Sequence, residues 1–173
     1  MLREAVTEAA RRIEVREAVA GIYAQLQREI DVRRPRCDAS GRCCRFESFG
    51  HRLYVTTMEL AAFTAGMAPA GRPPVSAGTG WDGSGCPFQV EGLCSVRSIR
   101  PFGCRIFFCD ATSDQWQQVQ YERFHARLKQ LHDELGVPYR YIEWRAALTE
   151  LGLASPSPAK SRGTRLSLPQ LPL

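Results

Sequence analysis

The sequence predicts a small, mainly α-helical domain folded around an irregular, cysteine-rich core. Apolar residues recur at three- and four-residue steps near both ends of the chain, which is typical of helices packed on a core. All seven cysteines fall in two turn-rich segments, 37–44 and 86–109. At 173 residues the chain suits one domain, expected over 1–153, with at most a short β element near 51–56.

The first predicted helix covers residues 1–31. We expect it to end within RRPR at 33–36, because the residue before Pro35 disfavours the helical backbone. Its apolar residues form one stripe, which we interpret as packing on the core rather than as a face for a partner or a membrane. The stripe consists of Val15, Val19, Ile22, Tyr23, Leu26 and Ile30.

The middle of the chain predicts a strand, a short helix and a loop. Residues 51–57, HRLYVTT, have the β-branched and aromatic character of a short strand. Thr56 and Glu59 have the spacing of a capping box, which should open a helix through about Phe63. The glycine- and proline-rich residues 65–85 indicate a loop.

The clearest helix lies after the cysteines, at 113–136. Ser113 or Asp114 can cap its start, and Gly136 with Pro138 should end it. Its apolar residues keep a 3-4-3-4 spacing that predicts one buried face. They are Tyr121, Phe124, Leu128, Leu131 and Leu135.

A last helix is predicted from about Tyr139 to Leu151, and a tail follows it. The helix should bury Tyr141, Trp144, Leu148 and Leu151. The tail, 154–173, is rich in proline and serine and has no period, so we expect it to be disordered.

Charge and hydropathy exclude several function classes. The net charge is +5, but the basic residues are spread along the chain among acids, which argues against nucleic-acid binding. No apolar run approaches the roughly eighteen residues of a membrane span, and the N-terminus lacks the apolar core of a secretory signal. We therefore expect a cytoplasmic protein, in which a reducing environment disfavours disulfides.

The cysteines are the candidate functional residues. A lone cysteine is usually a buried small apolar residue, but none of these seven lies beyond residue 109, whereas chance burial would spread them evenly. Zinc and iron sites take about four thiolate or equivalent donors on turn-rich backbone. The sequence predicts metal ligation, with redox thiols and core cysteines as alternatives. The predicted ligands are Cys37, Cys43, Cys44, Cys86, Cys94, Cys104 and Cys109.

Basic residues and glycines surround the cysteines. A site with four thiolates around a divalent metal is anionic, so nearby cations and backbone N–H groups would stabilise it. The alternative interpretation of these arginines is that they are ordinary solvated surface residues. The residues are Arg42, Arg45, Arg97, Arg100 and Arg105, with Gly41, Gly92 and Gly103.

The cysteine spacing leaves the metal open. It contains no spaced pair of CxxC knuckles and fails the common ferredoxin patterns. The adjacent Cys43 and Cys44 can both ligate only in a turn, or if they serve different metal atoms. Because seven thiols exceed the needs of one closed zinc site, we favour an iron–sulfur cluster slightly over zinc.

Other residues are weaker site candidates. His51 follows the first cysteine segment and is a candidate fourth ligand or a support for one. His125 and His132 lie two turns apart on one helix, too far to share a metal, and we interpret them as solvated surface. The sequence has no phosphate-binding loop or dinucleotide fingerprint, and no signature that singles out a nucleophilic cysteine.

The cysteine segments also resemble a known family. CDASGRCC, then CPF, GLC, RP and CRIFFC, over residues 37–109, resemble the YkgJ-type cysteine-cluster proteins, described as zinc- or iron-chelating domains with a CxxCxxCC signature. Ser40 stands where that signature has its second cysteine, so this chain departs from it. Similar clusters in flagellin lysine methylases imply an iron–sulfur centre but give this chain no substrate.

The sequence thus predicts a helical domain wrapped around a metal centre of zinc or iron, with the metal ion as its partner. Two other classes stay open. One is a metal-dependent enzyme for redox chemistry or group transfer to a protein side chain. The other is a zinc-stapled interaction module that uses the N-terminal helix and the basic tail.

Overall fold

The computed structural model describes residues 1–67 and 81–157. The predicted mainly helical class is confirmed over these residues. Most of the predicted loop 65–85 and of the predicted tail, namely 68–80 and 158–173, lies outside them. The helices are α1 (Leu2–Arg11), α2 (Ile13–Arg33), α3 (Phe46–Phe49), α4 (Thr57–Met67), α5 (Phe102–Ile106), α6 (Asp114–Glu134) and α7 (Trp144–Leu151). The strands are β1 (Tyr54–Thr56), β2 (Gln89–Val90), β3 (Leu93–Cys94) and β4 (Tyr141–Glu143).

The buried apolar side chains form two hydrophobic clusters. The helical cluster joins α2, α5, α6, one face of α4 and the end of α1, and the cysteine-side cluster joins the start of α1, the other face of α4, β1, α7 and the cysteine segments. The helical cluster consists of Ala9, Val15, Val19, Ile22, Leu26, Met58, Ala61, Phe102, Ile106, Phe124, Leu128, Leu131 and Val137. The cysteine-side cluster consists of Leu2, Val6, Cys44, Phe46, Leu53, Val55, Leu60, Phe63, Met67, Cys86, Phe88, Val96, Trp144, Ala147, Leu148 and Ala154.

The prediction of one helix over 1–31 is wrong, because the chain turns at Arg12. Arg12 has an extended backbone with ψ of 117°, and its N–H donates to the Ala9 carbonyl at 3.2 Å. The break lets α1 bury Leu2 in the cysteine-side cluster while α2 buries Val15 in the helical cluster. The predicted stripe of α2 is confirmed, and the helix ends at Arg33, before the left-handed Arg34.

The predicted capping box of α4 is confirmed. The Glu59 carboxylate accepts the Thr56 N–H at 2.9 Å, and the Glu59 N–H reaches the Thr56 hydroxyl at 3.4 Å. The helix continues past Phe63 to Met67 because both of its faces are buried, one in each cluster. The other Glu59 oxygen accepts the Phe102 N–H at 2.9 Å, which ties α4 to α5.

The β structure exceeds the single element that was predicted. β1 lies inside the predicted 51–56 stretch, but it pairs antiparallel with β4, in a segment expected to be helical. The last helix begins only at Trp144, where the Glu143 carboxylate accepts the Ala146 N–H. β2 and β3 form a second, unpredicted hairpin around Glu91 and Gly92, whose positive φ angles of 50° and 80° are typical of a two-residue turn.

The predicted helix over 113–136 is confirmed as α6. Leu128 and Phe124 are buried in the helical cluster, and Gly136 follows the helix with φ of 62°. Ser113 precedes the helix, but its hydroxyl donates to Asp110 and caps nothing. Over the described ranges, no helix has both the length and the apolar composition to cross a membrane.

Candidate metal centre

All seven cysteines line one cavity of about 70 Å³. The two cysteine segments, distant in sequence, therefore meet in the fold. All seven are free thiols: Cys37 and Cys109 are exposed, Cys44 and Cys86 are buried, and the other three are half-buried. Cys43 and Cys44 lie in a 3-10 turn, Arg42–Cys44. The sequence required such a turn if these two adjacent cysteines were to face one site.

Hydrogen bonds join the two segments on the inner side of the cavity. The Cys86 N–H donates to the Cys44 carbonyl at 2.7 Å. The Gln89 side-chain amide, on β2, donates to the Gly41 carbonyl at 3.0 Å and to the Gly92 carbonyl at 3.2 Å. These bonds place the turn with Cys43 and Cys44 against the β2–β3 hairpin that ends in Cys94.

Two glycines permit this close approach. A Cβ on Gly41 would collide with the Gly92 carbonyl, and one on Gly85 would lie 2.8 Å from the Cys44 carbonyl oxygen. Both glycines also have left-handed backbones, with φ of 69° and 60°, which other residues rarely adopt. Gly85 was not among the predicted glycines; of those that were, Gly92 supplies the carbonyl that Gly41 approaches, and Gly103 instead packs α5 closely on Leu53.

Another hydrogen bond joins the segments on the outer side. The Arg36 N–H, next to Cys37, donates to the carboxylate of Asp110, next to Cys109, at 3.1 Å. The same carboxylate accepts the Thr112 N–H at 3.1 Å and the Thr112 hydroxyl. Hydrogen bonds from Thr112 and its neighbours hold the pKa of Asp110 well below its ordinary value, so this connector is ionised at neutral pH.

The Cys44 thiol lies at the centre of the inner cysteines. It interacts with Cys43, Cys86 and Cys94, and these three neighbours raise the pKa of Cys44. In turn, the Cys44 thiol lowers the pKa of Cys43 to about 6, lowers that of Cys86, and lowers that of Cys94 to about 6. Cys44 therefore holds its proton more tightly than its three neighbours hold theirs, and burial raises the pKa of Cys104 well above its ordinary value.

N–H groups and cations surround these sulfurs. The backbone N–H groups of Phe88 and Val96, each two residues after a cysteine, further lower the pKa values of Cys86 and Cys94. The Trp144 indole N–H is buried and has no hydrogen-bond partner among the described residues, and Trp144 too lowers the Cys86 pKa. Hydrogen bonds to sulfur stabilise thiolates in metal sites, so this environment fits an anionic centre.

The five predicted arginines divide into two groups. Arg42, Arg97 and Arg100 line the cavity, and Arg100 lowers the pKa values of both Cys43 and Cys94. The Arg100 Nε is buried and without an acceptor. Arg105 instead donates to the carbonyls of Ser98 and Arg100, and Arg45 does not line the cavity.

The sulfurs are not yet arranged as ligands. Over residues 1–67 and 81–157, no three histidine, cysteine, aspartate or glutamate side chains are placed so that they could hold a metal ion. The inner thiols interact with one another instead. The described residues therefore do not form a metal site as they stand, and a metal bound there would require the thiols to lose protons and reorient.

The histidines do not line the cysteine cavity. His51 Nε2 lies 3.3 Å from the Cys43 carbonyl, so the ring supports the backbone of a cysteine from outside. The prediction of solvated surface is wrong for His132, which is 1% exposed and bonds the Val137 carbonyl at 3.0 Å. His125 is half-buried and contacts the Tyr139 hydroxyl at 3.1 Å. Burial lowers the pKa of both His125 and His132.

Sequence reasoning named Ser40 and Trp144 but did not place either of them in the cavity wall. Ser40, the departure from the family signature, lines the same cavity as the seven cysteines. Trp144 was predicted as a core residue of the last helix, and only the fold shows that it lines the same cavity as Cys86. No family model, no curated protein and no solved structure matches the chain. The resemblance to the YkgJ-type proteins stays a prediction.

Proposed function

We propose that this protein binds a metal through its clustered cysteine thiolates, as an iron–sulfur cluster or as zinc. The observation that supports this most strongly is that seven free cysteines from two distant segments line one cavity. Free thiols throughout also agree with a reducing, cytoplasmic location. The resemblance of residues 37–109 to the YkgJ type supports the same function.

The inner cysteines are the proposed main ligands. Cys43, Cys44, Cys86 and Cys94 interact directly, and four thiolates suffice for a closed zinc site. The outer cysteines exceed that need, which favours a cluster with more than one metal atom. Zinc would crosslink the two segments, whereas an iron–sulfur cluster would add one-electron transfer. The outer cysteines are Cys37, Cys104 and Cys109.

Anaerobic purification with metal analysis and a visible spectrum tests this proposal. A brown protein that absorbs visible light and contains iron and sulfide would support the cluster. A colourless protein with stoichiometric zinc would support the crosslink. A folded protein that contains neither metal and takes up neither would reject metal binding.

Two matched variants separate ligation from stability. Cys94→Ser should remove metal because it deletes an inner thiolate. Val96→Ala changes a neighbouring residue that is only 2% exposed, so it should lower stability and keep the metal. Equal metal content in Cys94→Ser and the unchanged protein would exclude Cys94 as a ligand.

A metal-dependent enzyme is the second candidate function. It is favoured by a larger cleft that shares Cys43, Cys104 and Cys109 with the cysteine cavity. A small molecule in that cleft would lie beside the centre. Binding of such a molecule should change the visible spectrum of an iron-loaded protein, and an unchanged spectrum at saturation would count against this candidate.

A further inference from the structure

A cleft of about 560 Å³ adjoins the cysteine cavity. Its volume lies within the usual range of small-molecule sites. It opens between α3, β1, α5 and the start of α6, and its wall toward the cysteines is formed by Cys43, Cys104 and Cys109. A molecule in this cleft would therefore contact the thiols from outside the cysteine cavity.

The cleft presents aromatic surface to solvent. Phe49, Tyr54 and Phe107 line it and remain 44%, 39% and 39% exposed. The Phe107 ring stacks on His51, with centroids 4.9 Å apart and planes at 17°. Several exposed aromatic rings around one concavity are typical of a binding site, because stacking favours flat rings.

The charge of the cleft is positive. Arg42 and Arg52 line it, and within the described residues neither has an acidic partner. Six other arginines do form salt bridges with acids: Arg12, Arg36, Arg123, Arg127, Arg140 and Arg145. The acidic residue of the lining is Asp114, which is contacted by the Gln117 amide at 3.4 Å. Two arginines against one aspartate favour an anion.

The arrangement of the arginines adds geometry to this charge. The Arg42 guanidinium lies 5.3 Å from the centroid of the Phe49 ring, so a cation and an aromatic face are held together. Guanidinium groups bind carboxylates in a planar, two-pronged geometry. The same surface can thus stack a ring and bind a carboxylate.

We infer that this cleft binds a small planar aromatic carboxylate, with its ring against Phe107 and Phe49 and its charge at Arg42 and Arg52. This site goes beyond the proposed metal function and does not depend on it. Most of the residues that line the cleft are not cysteines, and the cysteines form only one side of it.

Calorimetric titration of the protein as purified with 2-naphthoate tests the inference, with 2-naphthamide as the neutral probe of equal shape. We expect naphthoate to bind and naphthamide to bind at least about tenfold more weakly, because charge-assisted bonds are the stronger ones. Arg52→Gln should weaken naphthoate binding about tenfold and leave naphthamide unchanged. Phe107→Ala should weaken both probes, since it removes a stacking face.

Arg28→Gln is the matched control. Arg28 is also exposed and, among the described residues, without an acidic partner, but it lies on α2 outside the cleft. Its naphthoate affinity should equal that of the unchanged protein. Absence of naphthoate binding, equal affinity for the two probes, or an equal loss in Arg28→Gln and Arg52→Gln would overturn the inference. Metal analysis of the same samples keeps this outcome separate from the metal proposal.

Discussion

The two hydrophobic clusters are both well buried, but they are held together differently. The helical cluster packs α2 and α6, each 21 residues long, through side chains such as Val19 and Leu128, both fully buried. The cysteine segments contain no α-helix longer than the five residues of α5 in their described parts. Helices this short are unstable without tertiary contacts.

The difference shows where a metal would contribute most. Apolar packing suffices for the helical cluster, because long amphipathic helices bury a continuous face. The cysteine segments add buried side chains such as Phe88 and Val96 to their cluster, but the links between residues 37–44 and 86–109 include single hydrogen bonds, each worth only about 1 kcal/mol net. A ligand shared by several thiols would join these segments far more strongly.

Removal of the metal should produce the largest difference in stability between the two regions. With the proposed metal in about thousandfold excess over its Kd, binding would contribute about 4 kcal/mol to the free energy of unfolding, and chelation should remove this contribution. Hydrogen exchange should then show lost protection over 41–50 and 86–106, whereas α2 and α6 keep theirs. Uniform loss across the protein would contradict the comparison.

Leu128→Ala should weaken the helical cluster alone. Leu128 is 0% exposed, so the cavity should lower the free energy of unfolding by about 2–5 kcal/mol, measured by urea denaturation. The metal content per folded molecule should not change. Val119→Ala, on the same helix but 54% exposed, should stay within about 0.5 kcal/mol of the unchanged protein. Loss of metal in Leu128→Ala would mean that the clusters are coupled.

Glu59→Gln tests the residue that ties α4 to the start of α5. Each carboxylate oxygen accepts one buried backbone N–H, from Thr56 and Phe102. An amide can accept only one of them, so the substitution should cost about 1–3 kcal/mol. A cost near zero, measured by urea denaturation, would show that one of these hydrogen bonds is dispensable.

Glu59 should also make stability depend on pH. Burial raises its pKa above the ordinary value of 4.5. The folded protein then binds a proton at Glu59 more tightly than the unfolded chain does. The contribution of this proton to the free energy of unfolding is complete below pH 4.5 and declines as pH rises through the raised pKa. The free energy of unfolding, compared at about pH 5 and about pH 8, should fall less in Glu59→Gln than in the unchanged protein. Identical slopes would refute this.

Ser40→Cys should produce the smallest change. The residue lines the cysteine cavity, and a thiol is a better ligand than a hydroxyl for zinc or iron. Metal retention against a chelator should rise, while the stability of the metal-free protein should change by less than about 0.5 kcal/mol. Ser48→Cys, exposed and outside the cavity, is the control and should retain metal like the unchanged protein.

Local patterns predicted the helices well and the strands poorly. The stripes of α2 and α6 and the Thr56–Glu59 capping box were readable because their partners lie three or four residues apart. β4 was mistaken for helix because its partner, β1, lies far along the chain. The β2–β3 hairpin was missed because Glu91-Gly92 is a weaker turn signal than Asn-Gly.

The candidate site divides in the same way. Residue type and clustering were enough to single out the seven cysteines and the arginines beside them. Sequence could not reveal that Trp144 lines the cysteine cavity, or that His132 is buried. Both depend on how α6 and α7 pack, which no local spacing encodes.

By itself, therefore, the sequence determined that α2, α4 and α6 are helical and which residues carry thiol chemistry, since both follow from residue type and short-range spacing. Only the tertiary structure decided that residues 37–44 and 86–109 meet at one cavity and that a positive, aromatic cleft adjoins it. The reason is physical: the hydrogen bonds from the Cys86 N–H to the Cys44 carbonyl and from the Arg36 N–H to the Asp110 carboxylate join residues far apart in the chain. Such contacts form only when the whole core is packed.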